Sequence, residues 1–195
     1  MNPTPSPKAS TLSPNGPQSS DLERLSSDDS AEIIDEKKLH EFLGKLETIM
    51  LATRGAPPNV HARPMRIVKV DSQDGIWLVT RLTSPKIAEI ERQPNVSIIS
   101  NEAGRYLSLQ GTAEVRKDQQ KVEELWNEKW KVWFPNGKAD PEISFIVIRP
   151  TFAEYWDMSG ANFLGYLWRA TKAYAQGETP EPSKEGHGVF SKDRH

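Results

Sequence analysis

The run Thr80-Arg81-Leu82-Thr83-Ser84-Pro85-Lys86 holds the densest chemistry in the chain. A strand-like stretch ends there and a helix begins. Unpaired amide hydrogens, the positive end of a helix dipole, two hydroxyls and an ammonium are therefore brought together. Such a group suits an anion, a phosphate above all, through charge-assisted hydrogen bonds. Ser84 followed by Pro85 at the first helical position is equally the pattern of ordinary capping, and the segment alone does not separate the two. A second group lies in His61-Ala62-Arg63-Pro64-Met65. Strand alternation puts His61, Arg63 and Met65 on one face and Ala62, Pro64 and Arg66 on the other. A strand proline removes a ladder hydrogen bond and marks an edge or bulge, where backbone groups are free to meet a ligand. An exposed edge strand with a solvated arginine would read the same way.

Other chemistries are excluded or unsupported. The chain has no cysteine, which removes disulfides, thiolate nucleophiles and cysteine-ligated metal sites. Its four histidines are scattered at positions 40, 61, 187 and 195, and no acid–base pair stands out. Twenty-five basic against 27 acidic residues leave no field to hold nucleic acid or an anionic membrane. The lack of cysteine fits a cytoplasmic setting.

The elements that must position these groups can be followed along the chain. Leu39, Phe42, Leu43 and Leu46 fall on one face of a helix capped by Asp35. Strands are expected at residues 48–54, 60–70 and 76–80, divided by Gly55-Ala56-Pro57-Pro58-Asn59 and by Asp71-Ser72-Gln73-Asp74-Gly75. A helix opening at Ser84-Pro85-Lys86 runs to Pro94, and residues 96–101 and 105–115 form a second strand pair. Asp118 caps a helix carrying Val122, Leu125 and Trp126, followed by an aromatic loop from Trp130 to Pro135. Residues 143–148 and 151–156 read as two strands interrupted at Arg149-Pro150. Phe163, Leu167, Ala170 and Tyr174 make a last helical stripe. About six short strands with helices inserted between them predict a mainly β chain, a closed or nearly closed antiparallel barrel.

Residues 1–30 are rich in Ser and Pro and lack the apolar run of a signal peptide or anchor, so they read as a disordered tail. No later window has the apolar length of a membrane span, and no internal repeat is found. The expected domain covers residues 31–178, barrel plus C-terminal helix, and residues 179–195 are expected to form a loose tail.

Arg63-Pro64-Met65, Trp77-Leu78-Val79-Thr80 and Ser84-Pro85-Lys86 together resemble the core of the pyridoxamine-phosphate-oxidase-like split-barrel superfamily. Asn95-Val96, Tyr106 to Gly111 with Ala113, Trp133 to Gly137 and Tyr155-Trp156-Asp157 are similar to its general stress protein branch, and the likeness spans about residues 35–178. No single motif is specific, but their order is. The resemblance implies a six-stranded antiparallel split β-barrel that binds FMN, or FAD in its place. It also implies an obligate homodimer with flavin sites shared at the subunit interface.

On that resemblance Ser84, Lys86 and Thr83 hold the phosphate, Arg63, Pro64 and Met65 lie against the ring, and Val79 and Thr80 line the same pocket. Trp133 and Phe134 match an element that reaches over the partner's flavin. The C-terminal substrate pattern of true pyridoxamine phosphate oxidases is not matched by Phe190 to His195, so the likeness does not extend to vitamin B6 oxidation. Redox chemistry, if the protein performs any, belongs to the flavin. Two alternatives stay open: a small-molecule oxidoreductase using NAD(P)H or oxygen, and a flavin-free barrel binding haem, pyridoxal phosphate or a protein partner.

Overall fold

The computed structural model describes residues 31–56, 59–177 and 186–192. The expected tail at residues 1–30 lies outside them. The elements run β1 (Glu32–Ile33), α1 (Glu36–Leu43), β2 (Thr48–Arg54), β3 (Val60–Asp71), β4 (Gly75–Arg81), α2 (Pro85–Arg92), β5 (Asn95–Glu102) and β6 (Arg105–Arg116). They continue with α3 (Gln119–Leu125), single 3-10 turns at Glu128–Val132 and Gly137–Ala139, β7 (Ile143–Asp157), α4 (Gly160–Gln176) and β8 (His187–Ser191).

Six strands close on themselves in the order β7-β4-β3-β2-β5-β6 and back to β7, every neighbour antiparallel. This is the barrel that the sequence predicts. Alternation sends Ile49, Leu51, Ile76, Leu78, Ile98, Leu109, Ile146 and Ile148 into one core, which α1 completes with Leu39, Phe42 and Leu43 and α2 with Ile87 and Ile90. The opposite faces of β4 and β7 are covered as well. There Trp77, Phe145 and Val147 pack with Val122, Trp130 and Phe134 in a second cluster. Burial on both faces is why Phe145 to Ile148 is continuously apolar instead of alternating. The β3–β4 turn depends on Gly75, at φ +102°, where a Cβ would stand 2.2 Å from the Ile148 carbonyl oxygen.

Two expectations need correction. The stretch read as two strands broken at Arg149-Pro150 is one strand, β7. Gly111 pairs with Pro150 but Gln110 pairs with Phe152, so Thr151 bulges out and the ladder resumes beyond the proline. The region expected as a loose tail, 179–195, contains β8. Phe152 to Trp156 of β7 pair with Ser191 to His187, and β8 pairs in parallel with β1. Tertiary pairing, not local propensity, makes His187–Ser191 a strand.

The stripe on α4 forms, but it faces away from the body. Phe163, Leu164, Leu167, Trp168 and Tyr174 are exposed, Trp168 at 68% and Tyr174 at 89%, whereas Ala173 is buried and Asn162 donates to the Asp157 carbonyl at 2.9 Å. Among the described residues no helix is long and apolar enough to cross a membrane.

Candidate functional site

The barrel parts at one place. The β3–β4 ladder runs from Asp71 and Gly75 to Ile67 and Leu78, with an irregularity between Ile67 and Lys69, and then stops. Beyond it the Val60–Arg66 part of β3 pairs only with β2, and Val79–Arg81 of β4 only with β7. Backbone groups facing this gap have no ladder partner across it, which leaves them open to a ligand. A cleft of about 500 Å³ occupies the gap.

Pro64, Met65 and Arg66 form one wall of the cleft and Val79, Thr80 and Arg81 the other. Thr83, Ser84 and Lys86 close one side and Trp133 and Phe134 another. All the site residues expected from sequence are therefore brought together except Arg63.

Lys86 is the most unusual group in the cleft. It is half-buried, and its Nζ donates to Thr80 Oγ1 at 3.0 Å and to Ser84 Oγ at 2.5 Å. Among the described residues no carboxylate lies within ion-pair distance of it. Burial first, and the Arg63 charge second, push the ammonium below the ordinary lysine value, with Glu89 working against them. Ser84 stands at the N-cap of α2 but makes no side-chain capping bond, because its hydroxyl is turned to Lys86. Asp35 and Asp118, by contrast, cap α1 and α3 as the sequence predicts, accepting from the Lys38 and Lys121 amides at 2.8 and 2.9 Å. Thr83 is already engaged, its hydroxyl donating to Glu142 Oε2 at 2.6 Å and its amide at 3.2 Å.

Arg63 sits apart from the cleft. It shares a face with His61 and Met65 as alternation predicts, but its guanidinium donates to Thr53 Oγ1 at 2.7 Å and to Glu89 Oε2 at 2.9 Å. Glu89 also takes Thr53 Oγ1 at 2.5 Å and meets His61 Nδ1 at 2.6 Å. Burial pushes the Glu89 carboxyl up, but these hydrogen bonds and the Arg63 charge outweigh it and lower the group from 4.5 to about 2. Arg63 was expected against the ring, and in this structure its guanidinium is engaged by Thr53 and Glu89 beside the cleft.

Trp133 and Phe134 both line the cleft of their own chain. The 3-10 turn after α3 folds back onto β4 and β7, so Phe134 is buried in the second cluster and Trp133, 58% exposed, stands at the rim of its own chain's cleft. Sequence reading missed Arg66 and Arg81, which line the cleft beside residues it did name. Arg81 lies over the Phe134 ring with its Cζ 6.0 Å from the centroid, and Arg66 pairs with Glu47 at 3.1 Å. It also missed Glu89, whose partners are far away in sequence. No histidine or carboxylate lines the cleft, and no group of three or more metal-ligating side chains occurs among the described residues.

The comparisons with known proteins agree with this architecture. Residues 35–181 match the family described as pyridoxamine 5'-phosphate oxidase like. A protein assigned as general stress protein 26 from Jannaschia sp. CCS1 superposes with a TM-score of 0.64 at 22% identity, over 80% of this chain and 96% of that one. General stress protein 26 of Bacillus anthracis gives a TM-score of 0.54 at 24% identity, over 62% and 92% of the two chains. The general stress FMN/FAD binding protein of Xanthomonas citri gives 0.53 at 25% identity, over 65% and 90%. No curated protein matches the chain. The sequence match over most of the chain and the split six-stranded barrel lead to one assignment: this protein belongs to the pyridoxamine 5'-phosphate oxidase-like family.

Proposed function

We propose that the protein binds FMN in the cleft between β3 and β4. One observation carries this reading: a half-buried lysine whose hydrogen-bond partners among the described residues are both hydroxyls, at the start of a helix whose cap residue is turned toward it. An ammonium in that position is short of an anion. A phosphate would supply the missing charge, held by Lys86 and Ser84 with the α2 amides behind them.

The remainder of the cleft suits a flavin ring. Its volume lies in the range of small-molecule sites, and Met65, Val79 and Phe134 offer apolar contact. Unpaired backbone at Pro64–Arg66 and Val79–Arg81 can meet the polar edge of the ring, and Trp133 can cover its exposed side. Support also comes from the Xanthomonas citri protein, which is an FMN/FAD binding protein of the same fold.

When bound, a flavin supplies hydride or electron transfer. The chain's own residues bind the phosphate, orient the ring and keep water from its buried face. We therefore read the protein as a flavin-binding general stress protein of the cytoplasm, with any oxidoreductase activity belonging to the cofactor.

The visible spectrum of the purified protein, followed by titration with FMN, FAD and riboflavin, tests the proposal. A flavin spectrum and tighter binding of FMN than of riboflavin are expected. Binding of neither flavin, or a haem or pyridoxal phosphate spectrum instead, would overturn it.

We also propose that the working unit is a homodimer. The exposed apolar face of α4 and the exposed Trp133 support an interface, since aromatic side chains concentrate where surfaces are buried between chains. Sedimentation should report twice the chain mass, and Trp168→Glu with Leu164→Glu should lower it.

A further inference from the structure

The cleft's inner cation depends on a residue that does not line it. Glu89 stands one helical turn after Lys86 on α2, and both its oxygens are taken, Oε1 by His61 and Oε2 by Thr53 and Arg63. Arg63 closes the network by donating to Thr53. The donors come from β2 and β3 and the acceptor from α2. The network thus ties the helix that carries Lys86 to the strand that carries Pro64 and Met65.

A buried carboxylate is costly unless fully paired, and well-packed apolar residues often stabilise a fold as well as a buried ion pair does. What the pairing accomplishes here is placement. Arg63 precedes Met65 on the inward face of β3, and without Glu89 its guanidinium would have no carboxylate partner and would face Lys86. We infer that Glu89 is the positioning residue of the cleft: it draws Arg63 away and leaves Lys86 charged and aimed at a phosphate. This rests on reading the cleft as a flavin phosphate site.

The charged groups around Lys86 set the sign of the effect. Arg63 on β3 opposes its charge and Glu89 on α2 supports it, while the β4 group nearest to it is the neutral Thr80 hydroxyl. Arg66 and Arg81 line the same cleft, Glu142 is occupied by Thr83, and His61 acts on Glu89. Removing the Glu89 charge therefore leaves Lys86 beside uncompensated cations. Its proton should then be lost at lower pH, since the charge that supports it is gone.

The test compares wild type with Glu89→Gln, which removes the charge but keeps the shape. The preference for FMN over riboflavin is measured across pH. The Lys86 proton is followed separately by NMR of the reductively methylated protein without flavin, its signal assigned by loss in Lys86→Arg. Glu89→Gln should leave riboflavin affinity within about twofold and move both the loss of FMN preference and the Lys86 titration to lower pH.

Arg63→Met should move both the other way, and it decides the matter if Glu89→Gln does not fold. Equal losses of FMN and riboflavin binding would mean that Glu89 only holds the fold together, and an unmoved Lys86 titration would likewise overturn the inference. If wild type binds neither flavin, the proposed function fails and the Lys86 titration alone still judges Glu89.

Discussion

Two of the cavities among the described residues hold lysines, and they treat the charge oppositely. In the cleft Lys86 meets, among the described residues, the hydroxyls of Thr80 and Ser84. In the smaller cavity, about 190 Å³ and bordered by α1 and the end of β7, Lys38 pairs with Glu32 at 2.5 Å and Lys45 with Asp157 at 3.5 Å. Its floor is a stack of Phe42 on Tyr155, with ring centroids 4.1 Å apart. Charge balance, more than concavity, separates them: among the described residues one lysine has no carboxylate partner and the others are already neutralised. The small cavity is thus tied into the scaffold by its ion pairs, and the cleft is not.

That contrast can be broken by substitution. The largest effect is expected in the small cavity, where Phe42→Ala removes a side chain that is 2% exposed and should destabilise the fold by about 3–5 kcal/mol. Thermal unfolding measures it, and flavin affinity per folded molecule should stay within about twofold because the site is remote. A larger change in affinity would mean the two cavities are coupled. Next comes Lys86→Ala, which should weaken FMN binding by about 1.5–3 kcal/mol, roughly ten- to a hundredfold, and leave riboflavin nearly unaffected. Parallel losses for both ligands would remove Lys86 from the phosphate.

A pH effect of smaller size sharpens the same comparison. Because the Lys86 value is lowered, its charge is present below that value and lost as pH rises through it. Binding a phosphate restores the charge. FMN should therefore take up a proton in the alkaline window between the lowered value and the ordinary 10.5, whereas riboflavin should not. Calorimetry in buffers of different ionisation heat reads this uptake. The smallest effect is expected for Lys45→Ala. Its pair is half exposed on the lysine side, so stability should change by about 0–1 kcal/mol and FMN affinity not at all.

Acid stability provides a second measure of the buried network. The Glu89 value is depressed, so its contribution is complete above 4.5 and lost as pH falls toward about 2. Unfolding curves of Glu89→Gln should be flatter than those of wild type across that window.

The strands and most of the cleft were legible in the sequence because they are written locally. Alternation places Met65 and Val79, and Ser84-Pro85 announces the start of α2. The residues that misled are those whose partners lie far along the chain. Glu89 reads as a solvated helix position because Thr53, His61 and Arg63 come 26 to 36 residues before it. For the same reason Arg63 was expected at a ligand and is found on a carboxylate. Pro150 looks like a strand end until the bulge at Thr151 is seen. In Trp133 and Phe134 composition gave the aromatic payload, but only the fold-back of the 3-10 turn decides which cleft they serve.

The parallel pair between β1 and β8 has a consequence in time. Its ladder joins Glu32 and Ile33 to Gly188 and Val189, and the Ile34 amide donates to the Val189 carbonyl at 3.0 Å. Closing a loop of about 150 residues costs roughly 4–5 kcal/mol in chain entropy, far more than so short a ladder returns by itself. The seam can form only on a barrel that is already built, so it closes last in folding and opens first in native fluctuations. The Ile34 amide should accordingly exchange its hydrogen well before the amides shared by β4 and β7.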